Sequence, residues 1–71
     1  MFIMLNQLRS GDPVCIDVNN IKDFMPETIF IDEVERTGTL IELYRGGDPW
    51  IVSQRCYEVI EVANKAKAGA L

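Results

Sequence analysis

The stretch from Thr28 to Ser53 sets the limits on what this chain can become. It runs Thr28-Ile29-Phe30-Ile31-Asp32-Glu33-Val34, Thr39-Leu40-Ile41-Glu42-Leu43-Tyr44-Arg45 and Trp50-Ile51-Val52-Ser53, with Thr37-Gly38 and Gly46-Gly47-Asp48-Pro49 between. β-Branched and aromatic residues suit a pleated, half-buried surface, and here residues that turn a chain back cut them at intervals. The pattern predicts a meander of antiparallel strands, with one turn at Thr37-Gly38 and a two-residue hairpin turn at Gly46-Gly47. Ile29, Ile31, Ile41, Leu43 and Ile51 are expected to form its core side. Leu40, Glu42 and Tyr44 fall opposite Ile41 and Leu43, so both faces carry apolar residues, and one of them is expected to pack on a helix.

That helix is predicted from Gln54 to about Lys67. Ser53 suits the N-cap, and Cys56, Val59, Ile60, Ala63 and Ala66 recur at helical spacing as one apolar stripe. Glu58 near the start and Lys65 and Lys67 near the end suit the helix dipole. Gly69 ends it, and residues 68–71 read as a frayed tail. Upstream, Phe2 to Leu8 reads as a strand with Ile3 and Leu5 on one face. Arg9 to Pro13 reads as a turn. Val14 to Val18 alternates, Val14, Ile16 and Val18 inward and Cys15 and Asp17 outward. Ile21 to Pro26 reads either as a short strand or as one turn of helix stopped by Pro26. The whole predicts an α+β fold: a small curled antiparallel sheet of about five strands within residues 2–53, with one C-terminal α-helix on one face, in a single domain covering residues 1–71.

Composition narrows the function. A chain of 71 residues, 48% hydrophobic and 25% charged, reads as one small ordered domain without room for a deep cleft. Eleven acids against seven bases give a formal charge of −4. Arg9, Lys22, Arg36, Arg45 and Arg55 are scattered singly, which disfavours direct binding of DNA or RNA. An acidic surface suits a basic partner, such as a protein that itself handles nucleic acid, or else keeps a small domain in solution. Met1 to Leu5 is apolar but far short of a membrane span, and a cytosolic protein is expected.

No catalytic constellation emerges. With no histidine, a Ser-His-Asp triad is excluded, and Cys15 and Cys56 alone build no zinc site. The two cysteines are expected as buried free thiols, although a disulfide between them is open on sequence grounds. Asp32-Glu33-Val34-Glu35 has no calcium-loop spacing and reads as a solvated hairpin tip. No metal, no cofactor and no enzymatic activity are expected. Trp50 reads either as sheet core or, with Tyr44 and Arg45, as an interface anchor of the kind enriched at binding hot spots. The residues expected to bind a protein partner are therefore Asp32, Glu33, Glu35, Glu42 and Asp48 for steering, with Tyr44, Arg45 and Trp50 for contact area.

From Ile16 to Ala63 the layout resembles the small flagellar FlbD-like proteins. The matching residues are Val18-Asn19, Ile21, Pro26-Glu27-Thr28-Ile29, Ile41-Glu42-Leu43-Tyr44-Arg45-Gly46, Ile51-Val52-Ser53 and Glu58-Val59-Ile60. Against that pattern, Glu33 to Thr37 is an insertion that lengthens the central hairpin. The resemblance implies the sheet-and-helix topology and a motility accessory role. In size, acidity and lack of catalytic residues the chain is also similar to the small proteins with which phages disable host machinery, RNA polymerase inhibitors and anti-CRISPR proteins among them. The leading expectation is a small acidic regulator that acts by binding a protein, with host RNA polymerase the specific target and a flagellar accessory protein the alternative. A small-ligand domain using the exposed sheet face is a third reading, and self-association through the Phe2–Leu8 edge is open.

Overall fold

The computed structural model describes residues 1–69. β1 (Phe2–Asn6) and β2 (Pro13–Asp17) form an antiparallel hairpin in which Ile3 faces Ile16 and Leu5 faces Val14. One turn of 3₁₀-helix, Val18–Asn20, follows, started by the Asp17 carboxylate accepting from the Asn19 N–H at 3.0 Å. Then come β3 (Ile21–Ile31), β4 (Val34–Leu43) and β5 (Trp50–Val52), antiparallel in the order β3-β4-β5, and α1 (Cys56–Gly69).

The result is the α+β architecture expected, with five antiparallel strands divided over two sheets. Residues just past β1 join the two sheets. Gln7 bridges Val52, the Leu8 N–H donates to the Ile51 carbonyl at 2.9 Å, and the Ser53 N–H donates to the Asn6 carbonyl at 2.8 Å. The Gln54 side chain extends that join, accepting from the Asn6 N–H and donating to the Asn6 side-chain oxygen, each at 3.0 Å. In space the strands therefore run β2-β1-β5-β4-β3, one curled surface in effect.

Ile3, Leu5, Ile16, Val18, Ile41, Val52 and Val59 form the core, with Val14, Ile21, Phe24, Leu43, Trp50, Val62, Ala63 and Ala66 packed around it. Several expectations need correction here. The chain does not turn at Thr37-Gly38. Both lie inside β4, Thr37 opposite Thr28 and Gly38 opposite Glu27, and the turn is at Asp32-Glu33. Gly38 serves a different purpose. A Cβ there would meet the Val52 carbonyl oxygen at 2.0 Å, so only glycine lets the two backbones approach this closely. The expected core side needs correction as well. Ile41, paired with Phe24 and Trp50, points to the core, while Ile29, Ile31 and Ile51 lie on the opposite face and are only half-buried.

Ile21 to Pro26 is strand, carried into β3 through an irregularity at Lys22. Pro26 is tolerated because β3 is an edge strand. Gly46-Gly47 is not a two-residue turn. The last β4–β5 pair is Ile41 with Trp50, so Glu42 to Pro49 all lie beyond the paired region. The helix starts later than expected, at Cys56. Ser53 is not its cap, because the Arg55 carbonyl accepts the first helical bond, from Val59 N–H at 3.0 Å. Glu58 reaches back to the Arg55 N–H at 3.1 Å, which is the acidic half of a capping box. Ile60 is exposed and Val62 takes its place against the core. Of the expected tail, Ala68 and Gly69 are helical, and residues 70–71 lie outside the described residues. Cys15 is exposed rather than buried, Cys56 is half-buried, and both are free thiols.

Candidate functional site

β3 and β4 are far longer than the body they belong to. Eleven residues of strand span roughly 36 Å, against a molecule measuring 44 × 22 × 20 Å. β5 pairs only with Thr39 to Ile41, and the core residues of the hairpin end at Thr39. Outward of Gly38, which is still buried against Val52, Glu27 to Thr37 form a two-stranded arm. Its turn is closed by Ile31 opposite Val34, with Asp32 at φ 50° and Glu33 at φ 66°. Two left-handed residues in a row define the type I′ turn whose twist matches the hairpin. The Thr28 and Thr37 hydroxyls meet across the arm at 3.1 Å, a cross-strand tie halfway along it.

The arm is apolar as well as acidic. Phe30 is 65% exposed and Val34 51% exposed at its end. On the sheet face turned away from the core, Ile29 and Ile31 continue into Met25, Leu40 and Ile51, all half-buried or exposed. Charge is distributed just as unevenly. Ile21 to Leu43 holds six acids (Asp23, Glu27, Asp32, Glu33, Glu35, Glu42) and two bases (Lys22, Arg36), a net of −4. The remaining residues hold five acids and five bases. The whole formal charge of the molecule therefore resides in this hairpin.

The residues singled out from the sequence fall into two groups. Asp32, Glu33 and Glu35 stand together at the arm's end. Tyr44, Arg45 and Asp48 lie in the β4–β5 loop at the other end of β4, and nine residues of strand from Glu35 to Tyr44 set them roughly 30 Å apart. Glu42 is half-buried near that loop, and Trp50 is half-buried against the core. Steering acids and contact aromatics thus form no single patch.

The loop end has its own feature, an open cleft of about 420 Å³ lined by Phe2, Asp17, Asn19, Asn20, Tyr44 and Arg45. Asn20 fixes its wall. Its side chain donates to the Arg45 carbonyl at 2.8 Å and accepts from the Arg45 N–H at 3.1 Å, while its own carbonyl accepts from Tyr44 N–H at 2.9 Å. Phe2, Asp17, Asn19 and Asn20 were not foreseen there, since only the folded backbone brings β1 and the end of β2 beside the β4–β5 loop. On the arm, the residues missed were Glu27, Phe30, Val34 and Arg36. Phe30 did fall opposite Ile29 and Ile31 in the alternation, a signal that outward apolar residues were present.

Among the described residues no helix is long and apolar enough to cross a membrane. Compared with protein-family models, curated proteins and solved structures, the chain matches none.

Proposed function

We propose that this chain is a non-enzymatic binding protein that engages a basic protein surface through the β3–β4 arm. The observation that carries the reading is the placement of −3 of the −4 formal charge on the projecting arm, Glu27, Asp32, Glu33 and Glu35 against Arg36, with uncovered apolar residues at its end. Acids accelerate encounter with a basic partner, and the apolar residues between them supply area to bury once contact is made. Glu33 adds to this. Glycine would hold its left-handed conformation with less strain, so a carboxylate is kept there at a cost of about 1–2 kcal/mol.

The partner class is nucleic-acid machinery, whose surfaces are basic, with host RNA polymerase the specific partner and the cytoplasm the place of action. Blocking a functional surface in this way is regulation without chemistry, and an anti-CRISPR-type target would be met by the same means. The test is capture of RNA polymerase subunits from a bacterial lysate at low salt on immobilised protein. The triple variant Asp32→Lys/Glu33→Lys/Glu35→Lys is expected to capture none. Equal capture by wild type and variant, or no polymerase subunit on wild type, would contradict the reading.

A further inference from the structure

Resting on that reading, we propose that the partner contributes an extended basic segment, which adds as a further strand along the outer edge of β3 between Pro26 and Phe30. The edge is open. β3 ends the β3-β4-β5 sheet, and the β3 residues that line a cleft together with α1 are Ile21 and Phe24, several residues short of Pro26 to Phe30. Along a strand, backbone groups alternate between the two sides. The Thr28 N–H marks which residues face outward, because it is bonded not to β4 but to the Glu27 carboxylate, Oε1 at 3.0 Å. Pro26 and Phe30 share its parity. Proline therefore costs the β3–β4 ladder nothing, and the Phe30 N–H and the Pro26, Thr28 and Phe30 carbonyls all face the open side.

Glu27 is what makes the edge selective. Its carboxylate folds over the Thr28 N–H and blocks it, as natural edges are guarded by charge. A Lys or Arg on an incoming strand draws that carboxylate to itself and frees the N–H for the ladder. A neutral or acidic strand leaves the guard in place. A second copy of this chain is disfavoured as the occupant by the same argument, since it would bring six acids and two bases against six acids and two bases.

The test uses the full chain and a short synthetic peptide alternating Lys with Val, with a Glu–Val peptide as control. Backbone amide exchange is followed by NMR at low salt. Strand addition predicts that the Lys–Val peptide slows exchange at Thr28 and Phe30 by about tenfold or more, and that the Glu–Val peptide does not. The variant Thr28→Pro removes an N–H that β4 does not use, so the protein is expected to fold and to bind the peptide at least about tenfold more weakly. Shifts along the arm without protection of those two amides would overturn strand addition and leave the charge reading standing. Absence of any interaction at low salt would overturn both. Protection of Thr28 and Phe30 that rises with protein concentration alone would assign the edge to a second copy and overturn the proposal. If Thr28→Pro fails to fold, the exchange measurement on the wild type decides.

Discussion

Gly38 shows how one residue supports two different arguments. Its presence amid Thr and Arg suggests a turn, yet its role is to let the Val52 carbonyl cross β4 at a distance no Cβ allows. Gly38→Ala is expected to cost about 2–3 kcal/mol, because the obstructing atom is backbone and cannot swing aside. For a domain this small that lowers Tm by roughly 10 °C or more, measurable by thermal unfolding. Beside it, fully buried Thr39 donates its hydroxyl to the Gln54 carbonyl at 2.7 Å, tying β4 to the residue before the α1 cap. Thr39→Val keeps the shape but leaves that carbonyl without its partner, and a loss of about 1–3 kcal/mol is expected in urea unfolding. Glu33→Gly should act in the opposite direction. Relieving the left-handed strain is expected to stabilise the protein by about 1 kcal/mol while removing one of the three acids at the arm's end.

Element by element, the strands and the helix were legible because their signals are local. Ile3 and Leu5, the alternation of Val14, Ile16 and Val18, and the spacing of Val59, Ala63 and Ala66 each report one periodicity, and each packs as the period requires. What stayed illegible was register. The solvated hairpin tip read at Asp32 to Glu35 is where the chain turns, but the further turn placed at Thr37-Gly38 cut β4 short, and Ile29 and Ile31 were grouped with Ile41 although the register sets them on the opposite face. The arm was hidden by the same error, and so was the separation of the Asp32 group from the Tyr44 group. The register also yields a prediction. Ile29 opposite Arg36 has the same parity as the pair that closes the turn, so Phe30 to Glu35 can be replaced by Asn-Gly. No core residue is lost, and the shortened protein is expected to keep the far-UV circular dichroism and Tm of the parent within a few degrees. Collapse of the fold would show instead that the arm's end supports the body.

At the scale of the whole molecule, a body of net charge −1, about 20 Å across, carries an arm of net charge −3. Attraction between exposed charges is screened beyond about 8–10 Å at ordinary ionic strength, so charge held out from the body comes within range of a partner before the body does. Association should therefore slow steeply with added salt, while dissociation, governed by the apolar contacts of Phe30, Val34 and the outer face, changes little. The two ends of β4 make opposite claims on function, and a single measurement separates them. Binding to purified host RNA polymerase is measured for wild type, for the shortened arm, and for Tyr44→Ala/Arg45→Ala in the loop cleft. An arm-borne interaction predicts that the shortened protein loses about a hundredfold or more in affinity, while the loop variant stays within about twofold. Loss in the loop variant with full binding by the shortened protein, or no binding by wild type at low salt, would contradict it.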